Sequence, residues 1–131
     1  MAFKFSDPEI QKAWEGFNQV ILPELFKIGD KVPKHPSPKS QDVEESIRAL
    51  MECSFNVAKW IGNLEYYWDV AHSQAMMEVW ERNPKASTTM IKSEADGMVA
   101  NVTGILAKAK HTYKAIELSL MGCQSSLKRM P

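Results

Sequence analysis

The sequence predicts an all-α fold: a long antiparallel helical hairpin with a shorter N-terminal helix, packed as a bundle. Three observations predict it. Between Gln41 and Arg82 there is no proline and a single glycine, Gly62. In that stretch, and again from Ala95 to Leu127, apolar residues recur at alternating steps of four and three, which a helix gathers into one stripe and a strand cannot. The two stretches are separated only by a short turn around Asn83-Pro84, so they fold back on one another.

The elements follow in chain order. Ser6 and Asp7 suit the N-cap, Pro8 the first helical position and Glu9 the positive helix end. Ile10, Trp14, Phe17 and Ile21 then recur at helical spacing until Pro23, which is expected to break the helix. A second short turn, Glu24 to Ile28, should end at Gly29, closing an N-terminal region over residues 1–30. Residues 31–40 hold Pro33, Pro36 and Pro38 and read as an extended linker. Its Pro-x-x-Pro spacing matches an SH3-type ligand, but no second feature accompanies it.

The hairpin occupies residues 41–131. Its first seam is Val43, Ile47, Leu50, Ser54, Val57, Ile61, Leu64, Trp68, Ala71 and Ala75, with Ser40 and Asp42 as expected caps and Gly62 as a possible kink. Its second seam is Ala95, Val99, Val102, Leu106, Ala109, Tyr113, Ile116, Leu120, Cys123 and Leu127, on one helix opened by Ser87-Thr88-Thr89 and running to about Arg129. At 131 residues the chain makes one domain, 1–131.

Composition narrows the class. An apolar share of 44% with 24% charged residues argues for a packed core rather than disorder. No apolar run approaches the roughly 18 residues of a membrane span, and the first residues lack the apolar stretch of a signal peptide. Cys53 and Cys123 fit neither a disulfide framework nor a zinc site. A cytoplasmic protein that does not meet the membrane is expected.

The net charge of zero conceals a separation: +1 over residues 1–40, −6 over 41–81 and +5 over 82–131. Acidic and basic helices lying side by side attract along their flanks. A second reading is that the basic face meets phosphate, because Lys108, Lys110, His111, Lys114, Lys128 and Arg129 all lie off the seam. Off the seam too are Phe55, Trp60, Tyr66, Tyr67, Trp80, Leu118 and Met121, more apolar surface than one short helix covers. These residues predict contacts with a protein partner or a homo-oligomer, with Trp60 and Trp80 near the subunit contacts. Gly97 and Gly104, seven apart on the outer face, would admit a close neighbour.

Chemistry is hard to find. Asp69-x-x-His72 with Glu65 resembles half of a di-iron site, but the facing helix offers His111 preceded by Lys108 where a carboxylate is needed. No Gly-rich phosphate loop, Gly-x-Ser-x-Gly or His-Glu-x-x-His occurs. The expectation is a protein that is not an enzyme, with no catalytic residue, metal or cofactor.

The stretch Leu64-Glu65-Tyr66-Tyr67 on an acidic central helix, followed by a long Lys-bearing helix that closes with Ser125-Ser126-Leu127-Lys128-Arg129, resembles the phage recombination mediators of the UvsY type. The resemblance spans about residues 41–129. It implies an oligomeric protein that binds single-stranded DNA and contacts a recombinase and a single-strand-binding protein. Where that family has basic residues before the tyrosine pair, this chain has Ile61 and Asn63, so DNA contact would move to Lys59 or the last helix. Two functions are therefore expected in parallel. The first is a recombination or replication accessory protein that binds single-stranded DNA weakly, with Trp60, Tyr66 and Tyr67 stacking on bases. The second is a small inhibitory or adaptor protein that docks on a host protein without nucleic acid.

Overall fold

A computed structural model describes residues 3–32 and 39–129. Four helices follow one another: α1 Pro8–Lys31, α2 Ser40–Arg82, α3 Thr88–Met98 and α4 Ala100–Arg129. Among the described residues there is no strand. The fold is all-α and bundle-like, with α1 the shorter N-terminal helix beside a hairpin of α2 against α3 and α4. Prolines 33, 36 and 38 of the expected linker lie outside the described residues.

The antiparallel pairing is read directly from contacts across the seam. Trp68 Nε1–H donates to Thr103 Oγ1 at 2.8 Å, and Lys110 Nζ lies 3.7 Å from Glu65 Oε1. As the number falls along α2 it rises along α4. The burial pattern then shows how the seam is used. Val43, Leu50, Val57, Leu64 and Ala71, spaced by seven, are buried, and so are Val102, Ala109, Ile116 and Cys123. The alternate positions, Ile47, Ser54, Ile61 and Trp68 on α2 and Leu106, Tyr113, Leu120 and Leu127 on α4, are only half-buried. Calling the buried set heptad position d and the half-buried set a, one column of small and medium residues forms the dry centre. Each Leu or Ile in that column contributes about 1.5–3 kcal/mol on burial.

α1 runs antiparallel to α2 on one side of this seam. Asp7 Oδ1 accepts from the N–H groups of Glu9 and Ile10, as expected of its cap. Before the cap, Phe3 and Phe5 are buried, and the segment is tied to the hairpin by polar groups. Ser6 N–H donates to Gln74 Oε1 at 2.9 Å, and Gln74 Nε2 donates to the Lys4 carbonyl at 3.0 Å. Phe3, Phe5, Trp14, Phe17 and Tyr67 form one aromatic cluster with ring centroids 5.1–6.2 Å apart and mostly edge-on geometry.

Three local expectations are corrected. Pro23 does not divide the first helix, and α1 continues through it to Lys31. The pyrrolidine faces solvent, and Leu22, Leu25 and Ile28 on either side pack against the hairpin, holding the helix together across the missing N–H. The cap of α2 is Lys39, without a side-chain capping bond, and not Ser40 or Asp42. The last helix is two, interrupted at Val99, whose φ of −101° and ψ of 14° leave the helical region. Gly97, two residues earlier, weakens the local helical preference, while buried Ala95 and Val102 keep both pieces on α2.

Candidate interaction surfaces

Taking position d as above, position g falls on Ser46, Cys53, Trp60, Tyr67 and Gln74 of α2, and on Ile105, Thr112, Ser119 and Ser126 of α4. Every one is half-buried or buried. This is the side on which α1 lies. Trp60 shares a groove of about 360 Å³ with Glu24, Lys27 and Ile28 of α1, and Tyr67 is enclosed by Phe5, Trp14 and Phe17. These two residues, expected at a partner contact or on DNA bases, serve the attachment of α1 instead. Burial, and to a lesser degree the neighbouring Tyr66, holds the Tyr67 phenol above the ordinary tyrosine range.

The other apolar candidates are exposed. Phe55 is 74% accessible, Met121 62%, Leu118 60%, Tyr66 55% and Trp80 53%. They do not form one patch. Phe55 and Met121 share heptad position b on their helices, on the side of the seam away from α1. Leu118 and Tyr66 point directly outward. Trp80 lies at the turn, where it lines a groove of about 270 Å³ with Met76, Met77, Thr88 and Ile91. Sequence reading missed Met51, Met77 and Met90, each about half exposed, of which Met77 lines the groove with Trp80. Their signal was a methionine at a solvent-facing helical position, which is costly without a function.

The cations expected on phosphate are spread over several faces. Lys108 Nζ sits 5.6 Å from the Phe26 ring centroid, on the α1 side. Lys110 is paired with Glu65. Lys59 is exposed on the outer face of α2, remote from the basic helix. Lys114 and Lys128 share position b of α4 with Met121, and Arg129 follows. Among the described residues no acid pairs with Lys59, Lys114, Lys128 or Arg129. Between the described residues of α2 and α4 the charge separation pairs Lys110 with Glu65. The other pairs between helices, His72 Nε2 with Asp96 Oδ1 at 2.9 Å and Arg82 with Glu94 at 3.9 Å, place the acid on α3.

No protein-family model, curated protein or solved structure matches this chain.

The half di-iron motif is accounted for by this geometry. His72 stacks on Trp68 at 4.6 Å between centroids and bonds to Asp96, so its ring is engaged on both counts. No group of three or more His, Cys, Asp or Glu side chains stands together as a metal site among the described residues. Gly97 and Gly104 have nothing within 4 Å of where a Cβ would stand, so nothing among the described residues uses their smallness. Among the described residues no helix is long and apolar enough to cross a membrane.

Proposed function

We propose that this chain works without catalysis, as a small inhibitory or adaptor protein that docks a protein partner at the turn of its hairpin. The observation that carries this reading is the groove of Met76, Met77, Trp80, Thr88 and Ile91, with Trp80 and Met77 exposed at its rim. A tryptophan beside flexible methionines is the composition of an interface centre, and the helices on both sides hold it rigidly. The fitting partner offers an aliphatic or aromatic side chain from an amphipathic helix.

Weak binding of single-stranded DNA, in the manner of a recombination mediator, is the second reading. What favours it is the line of Lys114, Lys128 and Arg129 without acidic partners on α4. Against it stand the placement of Lys108 over Phe26 and the enclosure of Tyr67, which hold a cation and a stacking ring on the α1 side, away from Lys114 and Lys128.

Paired measurements separate the two. Affinity capture from host extract is expected to recover a discrete protein with the wild-type chain and to lose it with Trp80→Ala. Anisotropy of a labelled oligonucleotide at low salt is expected to show no saturable binding. Capture that Trp80→Ala leaves unchanged overturns docking at the turn. Salt-sensitive oligonucleotide binding abolished by Lys114→Glu with Lys128→Glu replaces it with the DNA reading.

A further inference from the structure

The two long helices are buried unevenly about their seam. On the g side α1 covers them, whereas on the opposite side Met51, Glu65, Lys110 and Glu117 at position e are exposed and the a column between them is only half-buried. Farther out on that side stand Phe55 of α2 and Met121 of α4. Among the described residues nothing covers this side, where the half-buried a column, Met51, Phe55 and Met121 make an apolar strip bordered by charges, distinct from the turn groove and independent of its function.

We propose that the strip is closed by a second copy of this chain, related by a two-fold axis parallel to the helices. Charge complementarity selects both the occupant and the axis. The exposed flank of α2 carries Glu44, Glu65 and Asp69 against one cation, Arg48, and that of α4 carries Lys110, Lys114 and Lys128 against one acid, Glu117. A two-fold parallel to the helices lays α2 of one copy along α4 of the other, acid against base. A perpendicular two-fold would lay α2 on α2 and α4 on α4, setting each flank's net charge against its like.

The axis also preserves height along the bundle, so the register within one chain predicts the register between copies. Glu65 is level with Lys110 and Trp68 with Thr103. On that spacing Phe55 meets Met121 of the second copy, and Glu44 meets Lys128. Ala58 and Gly62 lie on the same flank between Phe55 and Glu65, and Gly62 has nothing near its Cβ direction, which lets the facing helix approach. The product is a closed, isologous dimer whose four long helices bury the a columns of both chains. Trp60 and Trp80 then lie away from the subunit contact.

Light scattering with circular dichroism tests this on the full chain at micromolar concentration. The expected mass is about twice the 14.8 kDa of one chain. Phe55→Glu should return it to a single chain with unchanged helicity, because Phe55 is exposed in the isolated hairpin, while Leu118→Glu on the outer face should keep the double mass. Glu44→Lys and Lys128→Glu should each weaken association several-fold, and combining them should restore it. A single-chain mass at every concentration overturns the proposal. So does a mass that Phe55→Glu leaves doubled, or a larger assembly. A charge swap that fails to rescue overturns the parallel axis. Loss of partner capture in Trp80→Ala with a doubled mass retained is the expected separation of the two surfaces.

Discussion

At Tyr67 burial and a neighbouring phenol act together. The ring sits among Phe5, Trp14 and Phe17, and its ionisation is held above the ordinary value of 10.0 by desolvation first and by Tyr66 second. The unfolded chain ionises this group at the lower pH, so the sign is clear. The stabilisation is complete below the ordinary tyrosine range and is lost as pH rises through the folded value. Urea denaturation at about pH 9 and about pH 11 should show a steeper loss of stability in the wild type than in Tyr67→Phe. Equal losses would show that Tyr67 ionises in the fold as it does in water. Residue identity alone marked Tyr67 as an aromatic off the seam. Its equivalence to Cys53, Trp60 and Gln74 at position g was legible from spacing, but the side chosen by α1 was not, since flanks e and g of a hairpin look alike until a third helix covers one.

Among the elements, α1 differs most from its sequence expectation. A proline inside a helix removes one hydrogen bond and crowds the preceding turn, here at the Gln19 carbonyl, yet the helix persists because its apolar face is anchored on both sides of Pro23. The cost is still carried by the fold. Pro23→Ala should raise stability by about 2 kcal/mol, after allowing for the freer unfolded chain. Gly104→Ala, where a Cβ meets nothing, should add about 1 kcal/mol. Thermal and urea melts of the two variants check both values. A destabilised Pro23→Ala would mean that the ring sets a bend on which the seating of Leu25 depends. The break at Val99 shows the converse. A continuous apolar pattern ran through it, and only the backbone angles reveal that the helix stops for one residue.

For the whole molecule, charge separation had suggested that attraction between α2 and α4 holds the hairpin closed. Among the described residues the pairs between helices are few and open to solvent on at least one partner, so they contribute little beside the buried d column. Raising the ionic strength should change the unfolding free energy of the single chain by less than about 1 kcal/mol. A larger fall in a salt series of urea melts would assign the hairpin to electrostatics after all. Association of two copies should weaken with salt, because there the acidic and basic flanks face each other.

The sequence by itself determined the helical class, the two seams, the turn between them and an N-cap at Ser6 or Asp7, because each rests on spacing or on chemistry within a few residues. It also identified Phe55, Trp80, Leu118 and Met121 as apolar groups left outside the hairpin, since position relative to a seam is a local property of a helix. Only the tertiary structure decided the continuity of α1 through Pro23, the burial of Phe3 and Phe5, and the capture of Trp60 and Tyr67 by α1. It alone separated the turn groove from the open strip and scattered the lysines over several faces. Those outcomes depend on which flank of the hairpin the third helix occupies, and that choice is made by packing between residues dozens of positions apart, which no local periodicity records.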